Sequence, residues 1–254
     1  MTRLSVNINK VALLRNTRDI GIPNVLKAAE TAVRAGAHGI TVHPRPDQRH
    51  IRPQDVYDIT GFLVGRPDVE FNIEGNPFPE FMELVRIVRP QQCTLVPDSP
   101  DQSTSDHGWD LREDSGRLRR IIQELHHIGC RVSLFMNPDI EQIRLVSGVG
   151  ADRIELYTQP YAVAFETRDA EGVWQKFAAA AAAAQQLGLA VNAGHDLNLH
   201  NLGKFCEIPD VAEVSIGHAL IADALDIGLF NAVRAYLAIL ESSSESDTRA
   251  PKTT

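Results

Sequence analysis

Short runs of β-branched and aliphatic residues recur along this chain, and each is followed by a longer stretch whose apolar positions keep helical spacing. The runs fall at 4–9, 39–43, 70–74, 92–97, 131–136, 153–158, 190–194 and 213–217. Helical patterns lie near 23–35, 53–65, 77–88, 114–129, 139–148, 168–188 and 200–207, with a last helical region at 218–241. Strand and helix alternating in this way predict parallel strands joined by helical crossovers, and eight repeats fit a closed (β/α)8 TIM barrel of the α/β class, with extra short helices, better than an open sheet. Pro23 and Pro53 stand where first helical turns would begin, and Gly129 and Gly188 where helices would stop. The alanine run at 178–184 reads as a helix interior. No linker divides the chain, so one domain is expected over 1–241; the Ser, Thr and charge-rich segment 242–254, with Pro251, is expected to be a disordered tail.

Composition narrows the partners more than the fold. The 254 residues are 43% hydrophobic and 23% charged, enough apolar material for a sizeable core. A formal charge of −8 disfavours nucleic acid or an anionic membrane surface as the main partner, although a local basic pocket can coexist with it. Arg15, Arg18, Arg45 and Arg49 are candidates for such a pocket. Cys93, Cys130 and Cys206 are odd in number and show neither a disulfide framework nor zinc-knuckle spacing. No leader-like or membrane-length apolar stretch is evident, so the expected location is the cytoplasm.

In a parallel barrel the carboxyl ends of the strands form the active face, so the polar residues ending each run carry the functional information. The first run offers Asn7, Asn9 and Lys10; the second ends in His43, with Arg45 and His50 in its loop; the third ends in Glu74. The sixth contains Glu155, the seventh Asn192 and His195, and the eighth Gly217 and His218. Imidazoles exchange protons near neutral pH, and guanidinium forks suit phosphate or carboxylate. Acid/base chemistry on an anionic substrate is the expectation. Ala193-Gly194-His195-Asp196 and Ile216-Gly217-His218-Ala219 repeat one device, a glycine at a strand end followed by histidine, where barrels commonly cradle phosphate. Arg15 and Arg18 are read as part of a lid over a bound phosphate, and 103–108 as a polar covering loop.

Plainer readings stand beside these. His43 can cap a strand, His50 can be a solvated loop residue, Glu74 can pair with Arg45, Glu155 can belong to a buried ion pair, and the Gly-His pairs can be tight turns. His126 and His127 lie on an amphipathic helix and are read as surface residues. Neither GxGxxG nor a P-loop is present, which gives no sign of a nucleotide cofactor, and no HxH or HExxH spacing suggests a metal.

Taken together, Val6-Asn7-Ile8-Asn9 with Leu14-Arg15-Asn16-Thr17-Arg18, Gly39-Ile40-Thr41-Val42-His43 through Arg49-His50, Phe71-Asn72-Ile73-Glu74, Thr94-Leu95-Val96-Pro97, Val191-Asn192-Ala193-Gly194-His195 and Ile216-Gly217-His218 resemble the pyridoxine 5′-phosphate synthase family over residues 4–240. The resemblance implies a TIM barrel that condenses 3-amino-2-oxopropyl phosphate with 1-deoxy-D-xylulose 5-phosphate, giving pyridoxine 5′-phosphate, inorganic phosphate and water. It implies no metal or organic cofactor, and a homo-oligomer, an octamer of barrels. By motif position it makes His43 and Glu74 proton acceptors, His195 the proton donor and Glu155 a transition-state stabiliser. Asn7, Arg18, Asp196, Gly217 and His218 then match the aminoketone-phosphate site, and Arg45, His50 and Thr104 the pentulose-phosphate site.

Two positions depart from the family pattern: Asn9-Lys10 replaces a common Asp-His pair, and Asp196 stands where glycine is common. The competing expectations are a metal-dependent sugar-phosphate aldolase or isomerase using Glu74, Glu155, His195 and His218 as ligands, and a non-catalytic barrel that only binds phosphorylated ligands.

Overall fold

The computed structural model describes residues 1–247, with side chains to 243. Eight parallel strands close into a barrel in sequential order: β1 (Arg3–Asn7), β2 (Gly39–Val42), β3 (Glu70–Gly75), β4 (Gln92–Leu95), β5 (Arg131–Met136), β6 (Arg153–Tyr157), β7 (Ala190–Gly194) and β8 (Val211–Ile216). The helices between them are α1 (Asn9–Asn16), α2 (Val25–Arg34), α3 (Pro53–Leu63), α4 (Pro79–Val88), α5 (Leu111–His127), α6 (Ile140–Val146), α7 (Gln159–Ala164), α8 (Ala170–Gln186) and α9 (Leu202–Phe205), and α10 (His218–Ile227) and α11 (Leu229–Asp247) follow β8. The predicted (β/α)8 class holds. Among the described residues no helix is long and apolar enough to cross a membrane.

The differences are local and have local causes. Asn9 and Lys10 open α1 rather than closing β1, because the Asn7 side chain accepts the Asn9 N–H at 3.0 Å and turns the backbone out of the sheet. Pro23 precedes α2 instead of opening it; Asn24 caps that helix by accepting from the Lys27 N–H. Pro53 does occupy the first turn of α3. The expected last helix is two, broken at Gly228, whose φ of 80° suits glycine. α11 continues to Asp247, past the expected start of the tail, and 248–254 lie outside the described residues.

In six of the strands apolar and polar positions alternate. Leu4 and Val6, Ile40 and Val42, Phe71 and Ile73, Cys93 and Leu95, Ile154 and Leu156, and Val214 and Ile216 belong to one apolar cluster shared with the helices. The residues between them face inward and are polar. The interior is a hydrogen-bonded column where many barrels stack branched aliphatics. At its lower end Arg131 pairs with Glu70 and donates to Gln92 Oε1 at 3.1 Å through Nε. Gln92 and Asn192 both donate to Glu213 Oε1, at 3.3 and 3.4 Å. Above them Ser5 meets Thr41 at 2.7 Å, Asn72 donates to Thr41 Oγ1 at 3.2 Å, and Thr94 donates to Asn72 Oδ1 at 3.1 Å. The column rises to the carboxyl ends of the strands.

Candidate active site

At that end a cavity of about 370 Å³ gathers side chains from β1, β2, β3, β6, β7 and β8 with their following loops. His43, Glu74, Glu155 and His195 converge there, joined by Asn7, Arg45, His50, Thr104, Asp196, Gly217 and His218. Arg18 does not join them: it lies beyond the end of α1, exposed and outside the lining. Arg15 is also turned away, pairing with Asp55 and donating to the His50 carbonyl at 3.1 Å, so it braces α1 against α3 rather than serving as a lid. A larger cavity, about 510 Å³, opens between α3 and α4 and shares His43 and Arg45, but its wall is mostly apolar and lacks Glu74, Glu155 and His195.

The two site carboxylates are buried without a cation in contact. Glu74, ending β3, has only the Asn72 amide at 3.5 Å and the His43 Nδ1 at 3.9 Å near it. Burial raises its pKa well above the usual carboxylate value, and the like charge of Glu155 adds to that. Glu155 receives one long bond from Thr94 at 3.5 Å; burial, then repulsion from Glu213, raises its pKa to about 8. Gly194 makes room for it, since a Cβ there would stand 2.4 Å from Glu155 Oε1. Glu155 therefore holds its proton near neutrality, and both carboxyls are displaced in the direction that suits groups exchanging protons with a substrate.

The histidines are displaced the other way. Burial, reinforced by Arg45 and His50, pushes His43 well below its ordinary value. Burial and then Arg45 bring His50 to about 4, and its Nδ1 accepts from the Ile51 N–H at 2.9 Å, leaving Nε2 to carry the proton. His195 is lowered by burial, with Asp196 and Asp98 opposing. Its ring meets Phe135 and Tyr157 edge-on, at centroid separations of 5.2 and 5.4 Å. His195 and Asp196 both have left-handed backbone, with φ of 81° and 58°. The Thr158 hydroxyl donates to the Gly194 and His195 carbonyls, and Asn201 donates to the Asp196 carbonyl at 3.1 Å, and these bonds hold the strained turn. Position 196 therefore tolerates a residue other than glycine because aspartate is among those that accept this conformation.

Arg45 is buried and donates to Asp98 at 2.5 Å and to the Gln102 carbonyl at 2.8 Å. Arg49 donates to the carbonyls of Pro100 and Gln102 at 3.1 and 3.0 Å. The segment that leads into the expected covering loop is thus fastened to both arginines. At the departures, Asn9 Oδ1 accepts the His43 N–H at 2.9 Å, which fixes the backbone at His43, and Lys10 lines the cavity as an additional cation. Sequence reasoning overlooked Asp98, which follows Pro97 at the tip of the fourth run, lines the larger cavity and holds Arg45 from that side, and Ser105 and Ser215, short polar residues of the site cavity with no distinguishing spacing. The set proposed for a metal site does not form one: among the described residues no three His, Cys, Asp or Glu side chains converge to hold an ion.

The profile of the family described as "pyridoxal phosphate biosynthesis protein PdxJ" matches residues 4–242. A pyridoxine 5′-phosphate synthase of Albidiferax ferrireducens is 54% identical, the alignment covering 93% of this chain and 96% of that protein. One from Porphyromonas gingivalis is 52% identical over 93% of this chain and 98% of its own length. Among solved structures, thiamine phosphate pyrophosphorylase from Pyrococcus furiosus shares the fold, with a TM-score of 0.59 over 95% of this chain and 96% of its own, at 13% identity.

Proposed function

The chain belongs to the PdxJ family and is an enzyme that forms pyridoxine 5′-phosphate, and from that premise we propose how its cavity carries out the synthesis. The substrates in this reading are 3-amino-2-oxopropyl phosphate and 1-deoxy-D-xylulose 5-phosphate. The observation that carries it is the meeting of Glu74, Glu155, His43 and His195, from four separate strands or their ends, beside the buried Arg45. Such a set moves protons around a substrate that brings its own nucleophile.

The aminoketone supplies the amine that attacks the pentulose carbonyl, so no lysine Schiff base is required. His43, neutral because burial disfavours its cation, accepts protons as the imine and ring form; Glu74, whose displaced acidity brings it closer to neutrality, acts as a second acceptor. His195 delivers protons to departing oxygens. Glu155, with a pKa of about 8, supplies an uncharged donor at the barrel mouth and stabilises developing negative charge. Bond formation and loss of water and phosphate then need no protein nucleophile.

Arg45, His50 and Thr104 are assigned to the pentulose phosphate, with Lys10 as an added anchor; Asn7, Gly217 and His218 are assigned to the aminoketone phosphate. A Cβ at Gly217 would come 3.1 Å from the Asn7 side chain, so glycine there keeps the backbone open beside that residue. The Asp196 carboxylate is exposed and takes part through its backbone in this assignment. Arg18, outside the cavity, has no contact in it to assign. We place the enzyme in the cytoplasm as a homo-oligomer, an octamer in this reading; exposed Ile20 and Ile22, and Leu225 and Phe230, supply apolar area for assembly to cover.

Incubation of metal-free protein with both substrates, followed by absorbance and mass, tests this reading. Pyridine product from the wild type is expected; binding of both phosphates without product would contradict it.

A further inference from the structure

Asp98 has no role in the scheme above, yet it lies beside two of its parts, Arg45 and His43. It follows β4 through Val96 and Pro97 and is only 3% exposed. Its Oδ2 accepts from Arg45 Nη2 at 2.5 Å and from the Ser105 hydroxyl at 2.6 Å. The same oxygen lies 4.0 Å from His43 Nε2. Its other oxygen, Oδ1, is buried with no hydrogen-bond partner among the described residues. A buried carboxylate oxygen without a donor is unfavourable and rare, so it marks a group whose partners change during function or that retains strain.

His43 consequently sits between two carboxylates. Glu74 Oε2 is 3.9 Å from Nδ1, and Asp98 Oδ2 is 4.0 Å from Nε2 on the other edge of the ring. A neutral imidazole serves as a base only through the nitrogen without the proton, and an acceptor facing the other nitrogen decides which that is. Asp98 is an acceptor on the Nε2 edge. A proton held there leaves the Nδ1 lone pair toward Glu74, which lines the cavity. The separation is long for a hydrogen bond, and catalytic bonds of this kind commonly tighten only with substrate present.

Arg45 explains why the bond is long here. Its donors are taken by Asp98 and by the Gln102 carbonyl. A phosphate oxygen competes well for a guanidinium against a neutral carbonyl. As Arg45 turns toward phosphate, Asp98 loses its cation, and Nε2 of His43 is a donor on its open side.

We propose that Asp98 is a positioning residue for the synthesis: it fixes His43 as the Nε2-protonated tautomer and exchanges Arg45 for that imidazole when the pentulose phosphate binds. Phosphate binding thereby readies the base. The inference rests on the function proposed above, and the wild-type control separates the two. No pyridine from wild type would overturn that function, whereas wild-type turnover with an indifferent Asp98 variant would overturn only this inference.

The test is steady-state kinetics of Asp98→Asn, Asp98→Glu and Ser105→Ala with both substrates, alongside the wild type. Asp98→Asn is expected to lower kcat by about tenfold or more, as loss of an orienting carboxylate does, while KM for the pentulose phosphate stays level or falls because Arg45 is freed. Asp98→Glu should recover part of kcat. Ser105→Ala, which removes the loop's bond to Asp98 but keeps the carboxylate, should lower kcat less than Asp98→Asn does. A rise in KM with kcat intact, or equal losses in Asp98→Asn and Ser105→Ala, would show a merely structural clasp. A crystal structure of wild-type enzyme with inorganic phosphate gives a second reading that does not depend on how a variant folds. Phosphate on Arg45 with Asp98 in hydrogen-bond contact with His43 Nε2 is expected; Asp98 still held by Arg45, or no phosphate at Arg45, would overturn the exchange.

Discussion

The two ends of the barrel interior use the same residue types to opposite effect. At the lower end Glu70 is shared by Arg131 and Arg3, while Glu213 takes bonds from Gln92 and Asn192 near Arg153. At the upper end Glu74 and Glu155 have one long polar contact each from Asn72 and Thr94, and Arg45 turns its charge to Asp98 instead. A buried carboxylate held by cations acts structurally; one without them has its pKa pushed up by burial and becomes available for chemistry. Glu213 is intermediate: burial raises it to about 7 although Arg153 and Arg131 pull it down.

The contrast can be broken at either end. The largest effect is expected at His195, the proposed proton donor: His195→Asn should reduce kcat by about 10²- to 10⁴-fold, measured by pyridine formation, with little change in the unfolding midpoint. Next is a pH effect on stability. Glu155 binds its proton more tightly folded than unfolded, so wild-type stability should fall as pH rises from near 4.5 through about 8 and level off above. Glu155→Gln does not titrate, so its advantage over wild type should widen across that window to a few kcal/mol at most, on the order of the linkage expected for a buried acid. Thermal melts at pH 5 and pH 8 check this, and a constant difference would count against an uncharged Glu155. His50 works in the other direction, removing stability as pH falls from 6.5 toward about 4.

At the lower end Glu70→Gln should cost about 1–3 kcal/mol in urea unfolding, by leaving Arg131 short of its partner, with turnover nearly intact. The smallest effect is expected from Gly194→Ala. The new Cβ would displace the Glu155 carboxylate, a movable group, so the fold should persist while kcat drops about tenfold.

Much of this was legible in the sequence, for identifiable reasons. The strands lay close to the expected places because glycine, proline and polar tips punctuate them, and the strand-tip rule singled out His43, Glu74 and His195, which the fold gathers in one cavity. Other features depended on contacts distant along the chain. α1 was missed because a single side-chain bond from Asn7 turns Asn9 out of the sheet. Arg15 and Arg18 look alike in sequence, yet Asp55, distant in the chain, captures the first and nothing draws the second into the cavity. The polar interior was visible as alternation in Leu4-Ser5-Val6-Asn7 and Phe71-Asn72-Ile73-Glu74, but alternation does not say which face is inside a closed barrel. Asp98 went unnoticed because its meaning lies in Arg45, Ser105 and His43, which only the fold assembles around it.

The central claim, that the upper carboxylates are left unpaired for chemistry, is tested most directly by Glu74→Gln, measuring urea unfolding and turnover on the same preparation. The expected result is a protein at least as stable as wild type, because an unpaired buried carboxyl has been replaced by a neutral amide, with kcat lowered by about 10²-fold or more. A variant that is destabilised as Glu70→Gln is, or one that still turns over at the wild-type rate, would contradict it.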